Sequence, residues 1–145
     1  MEKIAAVILA AGCSSRLGQT KQLLEFEGKT LLERAINATA RVKCGPIIVI
    51  VGANAREIVA QVNQSCAQFA ENPDWGRGIG SSIRAGIAQV QKTESAVSAV
   101  LLMLSDQPFV GEEQLSRLVH TRQKTRKPIV CSQYAETVGV PDIWV

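Results

Sequence analysis

Gly12, Ser14, Ser15, Arg16, Gly18 and Lys21 follow directly on an apolar run, Ile4 to Leu9. A strand that breaks into a Gly, Ser, Arg, Gly, Lys loop presents bare backbone N–H groups, hydroxyls and two cations together. Such a loop suits phosphate. The spacing excludes two familiar phosphate loops. A P-loop has four residues between its glycines and Lys-Ser or Lys-Thr directly after. Here five residues separate Gly12 from Gly18, Gln19 comes next, and Lys21 lies three beyond the glycine. The dinucleotide fingerprint G-x-G-x-x-G fails as well, because Gly12 has no glycine two residues on. The planar fork of Arg16 suits paired phosphate oxygens, and Lys21 supplies a point charge. The plain alternative for each is a solvated loop cation.

Two later segments carry further candidates. Asp106 follows the apolar run Ala99 to Leu104. It reads as a Mg²⁺ ligand or as a simple loop cap; magnesium needs only one or two carboxylates beside waters and substrate phosphates. Ser82 comes after Gly76, Gly78 and Gly80. It reads as a helix N-cap, or as part of a loop whose glycines let backbone approach a base and ribose. Asp74 and Trp75 are weaker candidates in the same segment. His120 is the only histidine and sits mid-helix, where it reads as a surface or half-buried residue.

Alternating patterns supply the elements that must hold these residues. Strands are predicted over Ile4 to Leu9, Pro46 to Val51, Ala67 to Ala70, Ala99 to Leu104 and Ile129 to Ser132. Helices are predicted over Thr30 to Val42, Asn54 to Asn63, Ser81 to Gln91 and Gly111 to Lys124. Thr30 and Glu33 have capping-box spacing. Ile58, Val59 and Val62 are expected on one helix face. The segment Gly139 to Val145 reads as a loop leading into another apolar stretch. The βαβ order implies an α/β fold: a three-layer, Rossmann-like, mostly parallel sheet with helices on both faces. Right-handed crossovers align the strand C-termini along one edge. The loops after Leu9 and Leu104 then open on the same side, where ligands bind in such sheets.

Composition bounds the rest. The 145 residues suit a single domain with one core. The aromatic fraction is 4%, so the core must be mostly aliphatic. A net charge of +3 is too small to argue for nucleic acid or a membrane surface. No apolar stretch reaches the roughly 18 residues needed to span a bilayer, and the cytoplasm is the default location. Cys13, Cys44, Cys66 and Cys131 are scattered, which argues against both disulfides and structural zinc.

The pattern L-A-A-G-x-S-x-R-L-G-x-x-K, Leu9 to Lys21, resembles the signature of MobA-like nucleotidyltransferases, closest to the molybdenum cofactor cytidylyltransferase branch. Asn72 to Ser82 is similar to the family's second nucleotide loop. Leu101 to Pro108 is similar to its metal-binding strand end. The likeness runs from Ile4 to about Pro141. It implies a nucleotide-diphospho-sugar transferase-like fold and an Mg²⁺-dependent reaction. In that reaction a phosphate-bearing acceptor, molybdopterin first, attacks the α-phosphorus of an NTP, and pyrophosphate leaves. Leu9, Ala10, Ala11, Gly12, Ser14, Arg16, Lys21, Gly78, Ser82 and Asp106 become the nucleotide site, with Arg16 and Lys21 catalytic and Asp106 on the metal. Ala11 favours CTP over GTP. The family's later Gly-Asp-x-Gly-Ala-Arg-like segment, which supplies a second acidic ligand, is absent from this chain. A shortened domain would expose apolar surface, which suits self-association or a molybdoenzyme partner. The other class of function is a non-catalytic protein that binds a nucleotide or delivers a cofactor.

Overall fold

Ile4–Ala10 is an unbroken apolar run and forms β1, buried along its whole length. A strand buried on both faces is the mark of a sheet covered on both sides. The computed structural model describes residues 2–12, 20–62, 66–134 and 137–145. After β1 come a small hairpin, β2 (Glu25–Phe26) and β3 (Lys29–Thr30), and helix α1 (Leu31–Arg41). Then follow β4 (Ile47–Val51), α2 (Ala55–Gln61), β5 (Ala67–Glu71), α3 (Ile79–Thr93) and β6 (Ala99–Leu104). Helix α4 (Glu112–Thr125), β7 (Ile129–Tyr134) and β8 (Thr137–Trp144) complete the chain. The Thr30–Glu33 capping box is present in both directions, at 3.1 and 2.9 Å.

The main sheet runs in the order β5-β4-β1-β6-β8-β7. Strand β1 pairs in parallel with β4 and β6, and β4 in parallel with β5. Strand β8 runs antiparallel to both β6 and β7. Alternate residues of the central strands feed two cores. Ala6, Ile8, Val49, Leu101 and Met103 meet α1, α2 and α4 through Leu32, Ile36, Ile58, Leu115 and Leu118. Val7, Leu9, Ile48, Ile50 and Leu102 lie on the opposite face, under α3. The α/β sheet with helices on both faces is therefore as predicted.

Three local expectations need correction. Val59 is 46% exposed, while Ile58 and Val62 are buried, so the core-facing stripe of α2 is narrower than expected. Helix α3 begins at Ile79, so Ser82 lies inside it and Gly78 takes the N-cap position. Gly78 has φ +102°, a conformation side chains disfavour, which ends the loop and starts the helix earlier than Ser81. The segment after Gly139 belongs to a strand, β8, rather than a loop.

Helix α3 sits close to β1 because Gly86 has no side chain. A Cβ there would lie 2.5 Å from Val7 Cγ1. Gly86→Ala is expected to overpack this contact and lower stability by about 1–3 kcal/mol. Urea unfolding with an unchanged slope would register the loss.

Strand β8 carries a buried carboxylate. Asp142 is 6% exposed, and its Oδ1 has no hydrogen-bond partner among the described residues. Burial raises its pKa above the usual carboxylate value, and a hydrogen bond from Trp144 opposes that rise. A raised pKa means that the folded state takes up a proton more readily than the unfolded chain. Stability is then lost as pH rises from the ordinary carboxylate range through the raised value. Asp142→Asn is expected to raise Tm at about pH 8, by some 3 °C for ~1 kcal/mol. The gain should shrink to nothing in acid, which paired melts at the two pH values would show.

No described helix is long and apolar enough to cross a membrane. Cys44, Cys66 and Cys131 are free thiols, and burial pushes Cys44 up to about 11. Cys13 lies outside the described residues.

Candidate active site

The site is built where β1 and β6 end side by side. Leu9 is paired with Leu104, and the Ser105 N–H donates to the Leu9 carbonyl at 3.2 Å. This adjacency makes Ala11 and Gly12, just after β1, neighbours of the Ser105-Asp106 corner. Between them and the start of α3 opens a cleft of about 390 Å³. Volumes of this order accommodate small-molecule ligands.

Lys21 reaches the cleft from a 3₁₀ turn, Lys21–Leu23. The turn is closed by Leu23 N–H to Thr20 O at 3.0 Å and Leu24 N–H to Lys21 O at 3.1 Å. Thr20 Oγ1 donates to Glu57 Oε2 at 2.8 Å, which ties the turn to α2. Lys21 Nζ then lies 2.8 Å from Asp106 Oδ2. Both side chains remain partly solvated, at 45% and 33% exposure. A cation from the first crossover and a carboxylate from the β6 end thus meet in one cleft, on the edge where both loops open.

The other predicted residues fall as follows. Leu9, Ala11, Gly12, Gly78, Ser82 and Asp106 line the cleft with Lys21. Ala10 is buried, and its carbonyl accepts from the Gln22 side chain. Ser14 and Arg16 lie outside the described residues, as do Ser15 and Gly18. His120 is exposed on α4. Trp75 forms part of the wall. It lies so close to Gly52 that a Cβ on that glycine would be 2.6 Å from its own Cβ.

The supporting roles of two side chains were not read from the sequence, although Asn72 opens the segment that resembles the second nucleotide loop. Asn72 is 4% exposed and braces the second wall. Its Nδ2 donates to Ser81 Oγ at 2.9 Å and Ser82 Oγ at 3.0 Å, while its Oδ1 accepts from the Asp74 N–H at 3.0 Å. Ser82 accepts in that bond, so its own O–H proton is left to donate. Gln22, next to Lys21, donates to backbone carbonyls beneath the cleft. Neither belongs to a periodic pattern, and a lone amide gives no spacing signal.

Among the described residues, no group of three or more His, Cys, Asp or Glu side chains is arranged to hold a metal. Asp106 is the one carboxylate lining the cleft among them. That fits a cation held jointly by one carboxylate, waters and substrate phosphates.

This sheet order and strand-end cleft define the nucleotide-diphospho-sugar transferase fold. Residues 6–145 match the family model described as the MobA-like NTP transferase domain, and the chain belongs to that family. It is 33% identical over 124 residues to nicotine blue oxidoreductase of Paenarthrobacter nicotinovorans, covering 85% of this chain and 59% of that protein. It is 36% identical over 92 residues to the molybdenum cofactor cytidylyltransferase of Escherichia coli (strain K12), covering 63% and 47%. The chain thus spans about half to three-fifths of the length of these relatives. Rv0371c of Mycobacterium tuberculosis H37Rv superposes with a TM-score of 0.83 at 29% identity, over 99% of this chain and 71% of that one. A structure of Rv0371c in complex with manganese superposes at 0.77 with 26% identity, over 99% and 70%.

Proposed function

We propose that the protein is an Mg²⁺-dependent nucleotidyltransferase that moves CMP from CTP to a phosphate-bearing acceptor, molybdopterin first, and releases pyrophosphate. The observation that carries this reading is the 2.8 Å approach of Lys21 to Asp106 in the strand-end cleft. Family membership and the name of the cytidylyltransferase relative support the class and the acceptor. The manganese complex of Rv0371c supports a divalent cation.

The chemistry asks little of titrating side chains. A phosphate monoester, with a second pKa near 6, is already an ionised nucleophile at neutral pH. The protein's share is positioning and charge neutralisation. Lys21 would turn from Asp106 to the α-phosphate, where negative charge accumulates in the transition state. Asp106 would be left to hold the cation. Mg²⁺, when bound, supplies neutralisation of the phosphate oxygens. Ser82 and the backbone around Gly78 would receive the base or ribose.

Pyrophosphate release is the test. With CTP, Mg²⁺ and molybdopterin all present, release is expected; omission of any one should stop it. A nucleotide-dependent rise in Tm without release, across all four NTPs, would instead mark a binding or delivery protein. The absence of both signals would end the nucleotide reading. The base assignment has its own test. Ala11 is 4% exposed in the cleft wall. Ala11→Gly is expected to narrow the CTP:GTP ratio of kcat/KM by about tenfold, the scale of one methyl in a pocket. An unaltered ratio would discredit Ala11 as the discriminating residue.

A further inference from the structure

Gln22 is 5% exposed, yet it lines the cleft. Its side-chain amide makes two hydrogen bonds, both to main-chain carbonyls of the segment leaving β1. Nε2 donates to Ala10 O at 3.0 Å and to Gly12 O at 3.2 Å. An amide nitrogen has two hydrogens, so its donors are fully used. Oε1 is buried and has no partner among the described residues. The reverse orientation of the amide would set oxygen against two carbonyl oxygens, so the bonding pattern fixes which end faces the segment.

This geometry couples two parts of the cleft. Gln22 is the middle residue of the 3₁₀ turn whose first residue is Lys21. Its backbone is therefore held with the lysine, while its side chain holds Ala10 and Gly12. A peptide unit is planar and trans, so drawing the Ala10 carbonyl toward Gln22 turns the Ala11 N–H the opposite way. On a segment of Ala-Ala-Gly with no polar side chain of its own, this is strong local control over backbone donors.

We propose that Gln22 is a positioning residue for nucleotide binding. By donating both amide hydrogens to Ala10 O and Gly12 O, it sets the peptide planes beneath the cleft in register with Lys21. The inference rests on the nucleotide reading of the cleft. It adds a residue that acts on the ligand through backbone rather than by touching it.

Two near-isosteres separate this role from simple packing. Gln22→Met keeps the volume and removes both donors. Gln22→Glu keeps the shape but faces the two carbonyls with an acceptor. Mg²⁺–CTP binding to the full chain is measured by calorimetry, with Tm recorded on the same samples. Loss of these two neutral hydrogen bonds should weaken binding of Gln22→Met by roughly 10–30-fold at neutral pH. The Glu variant should lose more. Its carboxyl would be buried against carbonyl oxygens, which holds its pKa above the usual 4.3 or so. As pH falls, that carboxyl gains a proton and with it one O–H donor. The affinity of Gln22→Glu, taken as a ratio to the parent, should therefore recover several-fold from about pH 8 to pH 5.5. The Gln22→Met ratio should stay flat. A merely structural glutamine would not produce that split.

Folded variants that bind CTP as the parent does would overturn the proposal while leaving the nucleotide reading intact. A parent that binds no NTP would overturn both. Should Gln22→Met fail to fold, Gln22→Glu at low pH carries the comparison. If both unfold at every pH, Gln22 is a folding residue and the proposal is wrong.

Discussion

Asp106→Asn is expected to abolish the gain in nucleotide affinity that Mg²⁺ confers. Asparagine keeps the shape but loses the charge that a hard cation requires. Even changes one step removed from a metal typically cost 10–100-fold in affinity, so loss of the only carboxylate in the described cleft wall should cost at least about 100-fold. The Lys21–Asp106 contact carries a less obvious expectation. Asp106 Oδ2 sits 2.8 Å from Lys21 Nζ, so without metal the carboxylate competes with phosphate for that ammonium. It also repels the triphosphate. Metal-free CTP should therefore bind Asp106→Asn as well as, or better than, the parent. Titrations with Mg²⁺ and with EDTA would show the two curves crossing. A variant that still gains affinity from Mg²⁺ places the cation elsewhere.

Much of this site was readable before any coordinates. Strands β1, β4 and β6 are unbroken apolar runs, and the predicted Ala99 to Leu104 matches β6 end for end. Doubly buried parallel strands write themselves into sequence because no alternation is allowed. Their shared edge then allowed Lys21 and Asp106 to meet. Strand β8 was hidden for the opposite reason. Gly139, Pro141 and Asp142 all disfavour strand locally. Non-local pairing with β6 and β7 overrides them. Proline is tolerated because the β7–β8 register breaks there: Cys131 pairs with Asp142, but Ser132 pairs with Gly139. Gln22 was hidden because its partners are backbone carbonyls, which are the same in every sequence.

Lys21→Ala should cut turnover by about 10²–10³-fold, the usual scale for removing one preorganised group aimed at developing charge. The loss should fall on kcat more than on CTP affinity. Charge grows on the α-phosphate oxygens only as the reaction proceeds, so a lysine placed there binds the transition state better than the ground state. Folding should barely register the change. The Lys21–Asp106 pair is partly solvated on both sides, and such pairs contribute under ~1 kcal/mol. Lys21→Arg should recover only part of the rate, since a planar fork does not reproduce a compact point charge. Single-turnover pyrophosphate release at saturating CTP, run beside a thermal melt, separates these effects. A Lys21→Ala variant with the parent's kcat would remove the lysine from the chemistry. A fall in Tm matching the fall in rate would reduce it to a structural tie between the 3₁₀ turn and the β6 end.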